Sequence, residues 1–345
     1  MTSILNKAAM FGDIHHGRRN NLTSHNIDCK NYIEWLCDNI TADKQIDHVV
    51  FLGDWHENRS ALNISTLNYS YKNAETLNKL GLPIYHIIGN HDLYHRHTRE
   101  VHSIIHFNNF KNYTIVNDCI VLQNTKNKTL LAPFLFEEEY QTLSQYNDIP
   151  IWMGHFEFKN FIVSGHSFRM PTGPEIEDYT APKHIFSGHF HKRQHEKNVD
   201  YIGNAFPMDF SDSNDFDRGF ATYNHEEDLI DFINWEQCPK YIKTTLTDLI
   251  AVTDTSIYKD AKIKCLMDQN LTYEEVLAVK QTVETEFDIR ELILEEPSLI
   301  NTLDSDESHD VTHEDINETI TKMLSKVTLD NIDPDKLINI FQSIK

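Results

Sequence analysis

Asp47-His48-Val49-Val50-Phe51-Leu52-Gly53-Asp54 is the stretch on which the fold turns. Val49 to Leu52 form a short apolar run of β-branched and aromatic residues, the pattern of a strand buried on both faces. The run ends in a glycine, which allows a sharp turn, and then in a carboxylate. The same ending occurs five times. Ala8 to Phe11 lead into Gly12-Asp13-Ile14-His15, and Tyr85 to Ile88 into Gly89-Asn90-His91-Asp92. Ile151 to Met153 lead into Gly154-His155, and His184 to Ser187 into Gly188-His189-Phe190-His191. Each strand end thus delivers Asp, Asn or His, all hard or borderline metal ligands.

Seven side chains follow as candidate ligands: Asp13, His15, Asp54, Asn90, His155, His189 and His191. Carboxylate, imidazole and amide without thiolate suit manganese, iron or zinc and argue against an iron–sulfur cluster or a structural zinc finger. Seven exceed the needs of one ion. They suit two ions sharing a carboxylate, roughly 3.5–4 Å apart, a spacing that activates water and holds a phosphate ester. Asp13 with His15, and His189 with His191, aim at one site only if a turn begins there, and the glycines are expected to supply it. The competing explanation is structural. An isolated Gly-His among 20 histidines is more often a packing feature, and His16, His25, His48, His86, His95, His97, His102 and His106 are read that way. Five such endings in order leave little room for coincidence.

The 345 residues, 40% of them hydrophobic, suffice for one large core and a smaller module. Thirty-one Lys and Arg against 53 Asp and Glu give a net charge of −22, which by itself argues against a free-standing nucleic-acid binder. The five cysteines are scattered, with no Cys-x-x-Cys pair. That pattern predicts reduced thiols in a cytoplasmic setting. The N-terminal apolar stretch is short and runs straight into Gly12-Asp13, so no secretory signal is expected, and no run approaches membrane-spanning length.

Along the chain, Cys29 to Asp43 and Ile64 to Leu80 have the apolar spacing of amphipathic helices, the second stopped by Gly81 and Pro83. Strand, helix, strand, helix, strand predicts an α/β core with parallel strands. His95 to Phe110 reads as a further helix. Tyr113 to Val116, Cys119 to Leu122 and Thr129 to Phe134 read as strands, and Glu137 to Tyr146 as a helix. Gly219 to Tyr223 and Leu229 to Trp235 make a hairpin that closes a first domain, residues 1–238. Residues 239–297 predict a small βαβ cap: strand Lys262 to Met267, helix Leu271 to Phe287 with the capping box Thr272-x-x-Glu275, strand Ile289 to Leu294. Residues 298–311 read as an acidic linker, and 312–345 regain helical periodicity in two apolar stripes.

The series Asp13-x-His15, Gly53-Asp54, Gly89-Asn90-His91-Asp92, Gly154-His155 and Gly188-His189-x-His191 resembles, in order and spacing, the motifs of the calcineurin-like metallophosphoesterases. The resemblance implies a two-sheet β core flanked by helices. It implies one metal on Asp13, His15, Asp54 and His191, and another on Asp54, Asn90, His155 and His189, with Asp54 bridging. His91 would stand above them as the general acid that protonates the leaving oxygen, a role suited to imidazole. Manganese would be the first choice of ion, with magnesium, iron or zinc as alternatives.

Within that superfamily the chain looks most like the SbcD-type DNA repair nucleases, and especially their phage branch. Asp13-Ile14-His15-His16-Gly17, the Gly53-Asp54…Arg59 arrangement, Tyr201-Ile202-Gly203-Asn204 and Asp217-Arg218-Gly219-Phe220 carry the likeness. Cellular members often have histidine three residues after the bridging Asp, where this chain has Glu57; His56 is read as a partly exposed loop residue. The likeness implies an exo- or endonuclease working with an SbcC-type ATPase bound through the C-terminal helices. It also implies a homodimer formed over Ile64 to Phe110, a cap facing DNA, and a phage protein in its host's cytoplasm. On so acidic a chain, DNA would be held by the two cations, the partner and a few basic residues, namely Arg18, Arg19, Arg59, Lys192 and Arg193. Two other functions fit the motifs. One is a phosphoesterase for a cyclic nucleotide or a phosphoprotein, although the phosphatase pattern Gly-Asp-x-x-Asp-Arg-Gly is absent after Gly53. The other is a non-catalytic scaffold, against which stands the complete ligand set.

Overall fold

The computed structural model describes residues 5–164 and 168–296. The linker expected at 298–311 and the partner-binding helices expected at 312–345 lie outside the described residues.

Four strands run parallel in chain order: β1 (Lys7–Phe11), β2 (His48–Phe51), β3 (Ile84–Ile87) and β4 (Tyr113–Val116). The next strands build a second sheet from β5 (Ile120–Gln123), β6 (Lys128–Ala132), β7 (Ile151–Gly154), β10 (His184–Ser187), β11 (Gln194–Glu196) and β12 (Val199–Tyr201). Within it β6, β7, β10 and β12 are parallel, and β5 and β11 are antiparallel edges, in the order β11-β12-β10-β7-β6-β5. Between β7 and β10 sits the two-stranded β8 (Ile162–Ser164) and β9 (Phe168–Arg169). The hairpin β13 (Gly219–Asn224) and β14 (Leu229–Asn234) returns to the first sheet, β13 pairing antiparallel with β1.

Every residue from Ala8 to Phe11 and from Val49 to Leu52 is buried, because both faces of the first sheet are covered. The period of two still sorts them. Ala8, Met10, Val50, Leu52 and Ile87 meet Leu131, Ile151, Met153 and Phe186 of the second sheet. Ala9, Phe11, Val49, Phe51 and Ile84 face the opposite way, onto the helices Thr23–Ala42 and Ile64–Asn78. Leu130, Trp152 and Ile185 form the outer core of the second sheet. Each large apolar side chain so buried contributes about 1.5–3 kcal/mol before ordering costs, which is how an acidic chain holds together.

Beyond the hairpin, β15 (Lys240–Thr245), β16 (Ala261–Leu266) and β17 (Glu291–Glu295) make a parallel three-stranded sheet. The helix Tyr273–Glu286 crosses between the last two, and both halves of the Thr272/Glu275 capping box are formed. This module has its own core around Ile263, Leu246, Leu249 and Phe287, yet Met1–Pro297 form one compact unit. Arg290 ties the module to the helix Thr23–Ala42, reaching Asp28 through both carboxylate oxygens at 2.7 and 2.8 Å.

Three local expectations need correction. His95 to Phe110 is not a helix; it carries only a 3₁₀ turn, Ile105–Asn109. The segment folds back on itself instead, with Tyr94 N donating to Val101 O and Ser103 N to Asp92 O, so a carbonyl and an amide that a helix would pair within itself are bonded outside it. Thr98, Ser103, Asn108 and Asn109 also favour turns over helix. The strand β15 went unread because Lys-Tyr-Ile-Lys-Thr-Thr has no apolar run. Finally, the helix expected from Cys29 begins at Thr23. Its first turns look polar in sequence, yet His25, Asn26 and Asp28 are buried, where His25 and Asn26 brace the loop carrying His15 and Gly17 through contacts of 2.9 and 3.0 Å.

Candidate metal centre

β1, β2 and β3 from one sheet and β7 and β10 from the other bring the seven predicted ligands together, and His15, Asp54, His189 and His191 among them line one cleft. Three clusters of ligand atoms lie within 4.8 Å of one another: Asp13, His15 and His191; His15, Asp54 and His91; Asp54, His155 and His189. Asp54, 2% exposed, joins the last two. His15 Nε2 stands 3.1 Å from His191 Nε2, and Asp54 Oδ2 is 3.4 Å from His155 Nε2 and 3.7 Å from His15 Nε2.

The backbone here is unusual in a consistent way. Asp13 (φ 51°), His15 (φ 49°), Asp54 (φ 63°) and His189 (φ 90°) all take left-handed conformations, which non-glycine residues rarely adopt and which cluster at functional sites. The loops after β1 and β2 lock this shape through Asp13 N to Gly53 O, 2.9 Å, and His16 N to Trp55 O, 2.8 Å. Of the five motif glycines only Gly53 (φ 101°) is itself left-handed, so the expectation that the glycines supply the turns is corrected. Gly89 is needed for room: a Cβ there would overlap the Asp54 carboxylate and amide.

Outer partners set the tautomer of the imidazoles. His155 Nδ1 lies 2.7 Å from Leu52 O. A carbonyl only accepts, so Nδ1 bears a proton and Nε2 is the nitrogen that faces inward. His189 Nε2 lies 3.0 Å from Glu157 Oε2, leaving Nδ1 inward. His91 Nδ1 lies 2.9 Å from Glu57 O, leaving Nε2 inward. His15 Nδ1 is 2.8 Å from Glu57 Oε2, a close contact though off hydrogen-bond alignment. The Asn90 amide completes the ring, 3.0 Å from His155 Nε2 and 3.1 Å from His189 Nδ1. With its nitrogen inward it donates to these ring nitrogens and its oxygen accepts from Arg59 Nη2 at 2.9 Å. With its oxygen inward it accepts from a protonated His155 Nε2 or, once that proton has left, joins the two imidazole nitrogens as a third donor to a shared cation. This donor set fits divalent metal.

The electrostatics agree. Burial alone would lower the His155 imidazole, but the Asp54 carboxylate beside it pushes it up to about 9. Burial likewise would raise Asp54, yet His155 and His91 hold it well below the usual carboxylate range. Burial lifts Asp13 well above that range and lowers His15, His189 and His191. A cluster that draws a proton onto one imidazole is a cluster that seeks positive charge.

Three residues here were missed or given no role. Asp92, quoted only as part of a motif, is fully buried and accepts from the amides of Asp54, Trp55, His56 and Gly89 at 3.0–3.1 Å, pinning β2's end to β3's. Glu57 touches His15 and Arg18. Glu157 orients His189, and its only sequence signal is its place two residues after His155. His56 is not a loop residue in solvent: it is fully buried, each ring nitrogen 2.7 Å from a serine hydroxyl, Ser103 and Ser70.

The basic residues divide. Arg18 lines the metal cleft, of about 360 Å³, but is paired with Glu57 and Asp209. Arg59 reaches the Asn90 amide. Arg193 is turned away onto Phe232 and Asn234, Arg19 lies against Tyr241, and Lys192 does not line the cleft. Arg218 is a buried structural hub on Asp215 and Asn204.

Among known proteins, the chain is 26% identical over 192 residues to exonuclease subunit 1 of Enterobacteria phage T4, covering 52% of this chain and 54% of that one. It therefore spans about half the length of that relative. Solved structures that resemble it include an archaeal phosphodiesterase (12% identity, TM-score 0.37, 66% of this chain and 99% of that one). A dimetal phosphatase from Danio rerio (10%, 0.42, 64% and 93%) and a purple acid phosphatase from yellow lupin, Lupinus luteus (12%, 0.38, 67% and 46%), also resemble it. Residues 7–193, more than half the chain, match the calcineurin-like phosphoesterase model. The chain belongs to the calcineurin-like phosphoesterase family.

Proposed function

We propose that this chain is a two-metal phosphodiesterase that cleaves DNA. The observation that carries the metal half is the convergence of His155 Nε2, His189 Nδ1 and the Asn90 side-chain amide on Asp54. Asp13, His15, Asp54 and His191 would hold one ion and Asp54, Asn90, His155 and His189 the other. Bound there, two divalent ions, manganese foremost, would supply Lewis-acid charge for a phosphodiester and acidify a water. Asp92 fixes the loop that aims Asp54, and Glu157 and Leu52 O fix the imidazoles. His91, with Nδ1–H kept on Glu57 O and Nε2 inward, would act as the imidazolium, giving its Nε2 proton to the leaving oxygen and becoming neutral.

Two things support the nucleic-acid half: the likeness to a phage protein named as an exonuclease subunit, and Arg59 beside the ligands on an otherwise acidic chain. Assembly follows the same lines. Ile64, Tyr71, Val101 and Ile105 are 43–85% exposed, and Tyr71 stacks near His106 and Phe110, which supports pairing of two nuclease subunits over Ile64 to Phe110. Residues 312–345 are proposed to bind an SbcC-type ATPase.

Full-length protein stripped of metal and titrated with manganese tests this. Hydrolysis of methyl p-nitrophenyl phosphate and of a labelled oligodeoxynucleotide is expected, both saturating near two ions per chain. Hydrolysis of a cyclic nucleotide but not the oligodeoxynucleotide would overturn the DNA assignment, and no hydrolysis of either diester with any divalent ion would overturn the enzyme.

A further inference from the structure

Beside the metal cleft lies a second and larger one, of about 710 Å³. Phe134, Phe136, Tyr140 and Tyr179 line it, together with Glu157 and Arg96. It is half apolar, and its aromatic walls are held. Tyr140 Oη accepts from Glu157 N at 2.8 Å, and Tyr179 Oη donates to Tyr140 O at 3.3 Å. Arg99 lies 4.9 Å over the Phe136 ring while gripping Glu139 at 2.7 and 2.8 Å.

Two contacts join this cleft to the metal centre. Phe134 has its ring 5.9 Å from that of His189 and 6.1 Å from that of His155. Glu157, in the cleft wall, is the residue that orients His189. The rim between them is basic. Arg59 Nη2 stands 2.9 Å from the Asn90 side-chain amide at the metal centre, and Arg96 lines the aromatic cleft itself. Among the described residues neither is paired with a carboxylate, in contrast to Arg18, Arg99, Arg218 and Arg290. An aromatic cleft with a cationic rim, one side chain away from a phosphodiester site, matches the chemistry of a nucleotide: a flat π-face beside an anion.

We infer that this cleft takes one unstacked nucleobase of the strand whose phosphodiester lies at the metal centre, stacked against Phe134, with Arg59 and Arg96 on an adjacent phosphate. The inference rests on the phosphodiesterase proposal above. A base seated there has left its own stack, so the cut strand must be unpaired at that nucleotide. Base–aromatic stacking is worth about 1–3 kcal/mol per base, which converts to a roughly fivefold to 150-fold change in affinity.

The test is binding, in full-length protein carrying His91→Asn so that the probe survives. A fluorescein-labelled single-stranded oligodeoxythymidylate is compared by anisotropy with copies that are abasic at one position each. One position is expected to weaken binding about tenfold, with the others below twofold. Phe134→Leu, which keeps apolar volume but removes the ring, should abolish that difference, and Phe134→Tyr should restore it. Equal effects at every abasic position, or undiminished discrimination in Phe134→Leu, would overturn the inference. Hydrolysis of methyl p-nitrophenyl phosphate, which has no base, is read in parallel with the parent protein. Hydrolysis without base discrimination sinks the cleft alone, whereas base discrimination without hydrolysis sinks the enzyme and leaves the cleft standing.

Discussion

Glu157 Oε2 lies 3.0 Å from His189 Nε2, two residues along the chain from His155 and on the far side of the imidazole from Asp54. The contact makes His189 a one-tautomer ligand. Such outer partners typically change metal affinity by 10–100-fold. Glu157→Ala is therefore expected to weaken binding of one manganese ion by about that factor and leave the other unaffected, read by calorimetric titration of metal-free protein. Equal weakening of both ions would contradict the assignment of His189 to one of them.

Asp54 is the only predicted ligand shared between the two ions. Asp54→Ala should lose both and abolish hydrolysis of a phosphodiester, while the far-ultraviolet dichroism stays that of the parent. Metal analysis after gel filtration checks this, and retention of a full complement of two ions would exclude the bridge.

His91 is within ligand distance of His15 and Asp54, so its two possible roles must be separated. As a proton donor, His91→Asn keeps two ions per chain while kcat falls by about 10²–10⁴. Loss of one ion in the same variant would place His91 among the ligands instead.

His86 is a core histidine with no hydrogen-bond partner on either ring nitrogen, packed 4.4 Å from the Phe51 ring and 5.4 Å from Trp55. Burial holds its imidazole well below the ordinary 6.5. The unfolded chain therefore binds a proton here below about pH 6.5 that the folded chain refuses, and stability must fall as pH drops through that window. The loss approaches about 1.4 kcal/mol per pH unit. His86→Leu is expected to raise stability by about 1–2 kcal/mol at pH 7, since it removes an unsatisfied polar group, and to flatten the decline between pH 6.5 and 4.5. Urea unfolding at a series of pH values gives both quantities, and an unchanged acid slope would refute the account.

Arg290 grips Asp28 at 2.7 and 2.8 Å and Asp260 at 2.6 and 2.7 Å. Asp28 is 8% exposed, so removing the guanidinium strands a buried carboxylate. Arg290→Met should cost about 2–4 kcal/mol, somewhat under the loss for a fully buried pair, because the arginine keeps some solvent contact. Adding Asp28→Leu should recover part of that loss in denaturant melts; a strictly additive double variant would mean the pair is not coupled.

What the sequence by itself determined is what is local. An apolar run of four residues, a glycine and a ligand type sit next to one another in the chain, so β1, β2, β3, β7 and β10 and all seven ligand candidates could be read without any contact map. The capping box at Thr272 and Glu275 was legible for the same reason. Tertiary structure alone decided the rest. The proton on His155 is placed by Leu52 O, 103 residues away, and Asp92 reaches back 37 residues to hold Trp55 N. The segment His95 to Phe110 has apolar spacing that suits a helix, but its Ser103 amide is bonded to Asp92 O and its Val101 carbonyl to Tyr94 N. Arg193 and Arg18 carry the same charge in sequence, yet one is turned onto Phe232 and the other stands in the cleft. Strand patterns repeat within a few residues because burial is sorted by the pleat. A hydrogen bond or a shared cleft has its second half elsewhere in the chain, and only folding brings the two halves together.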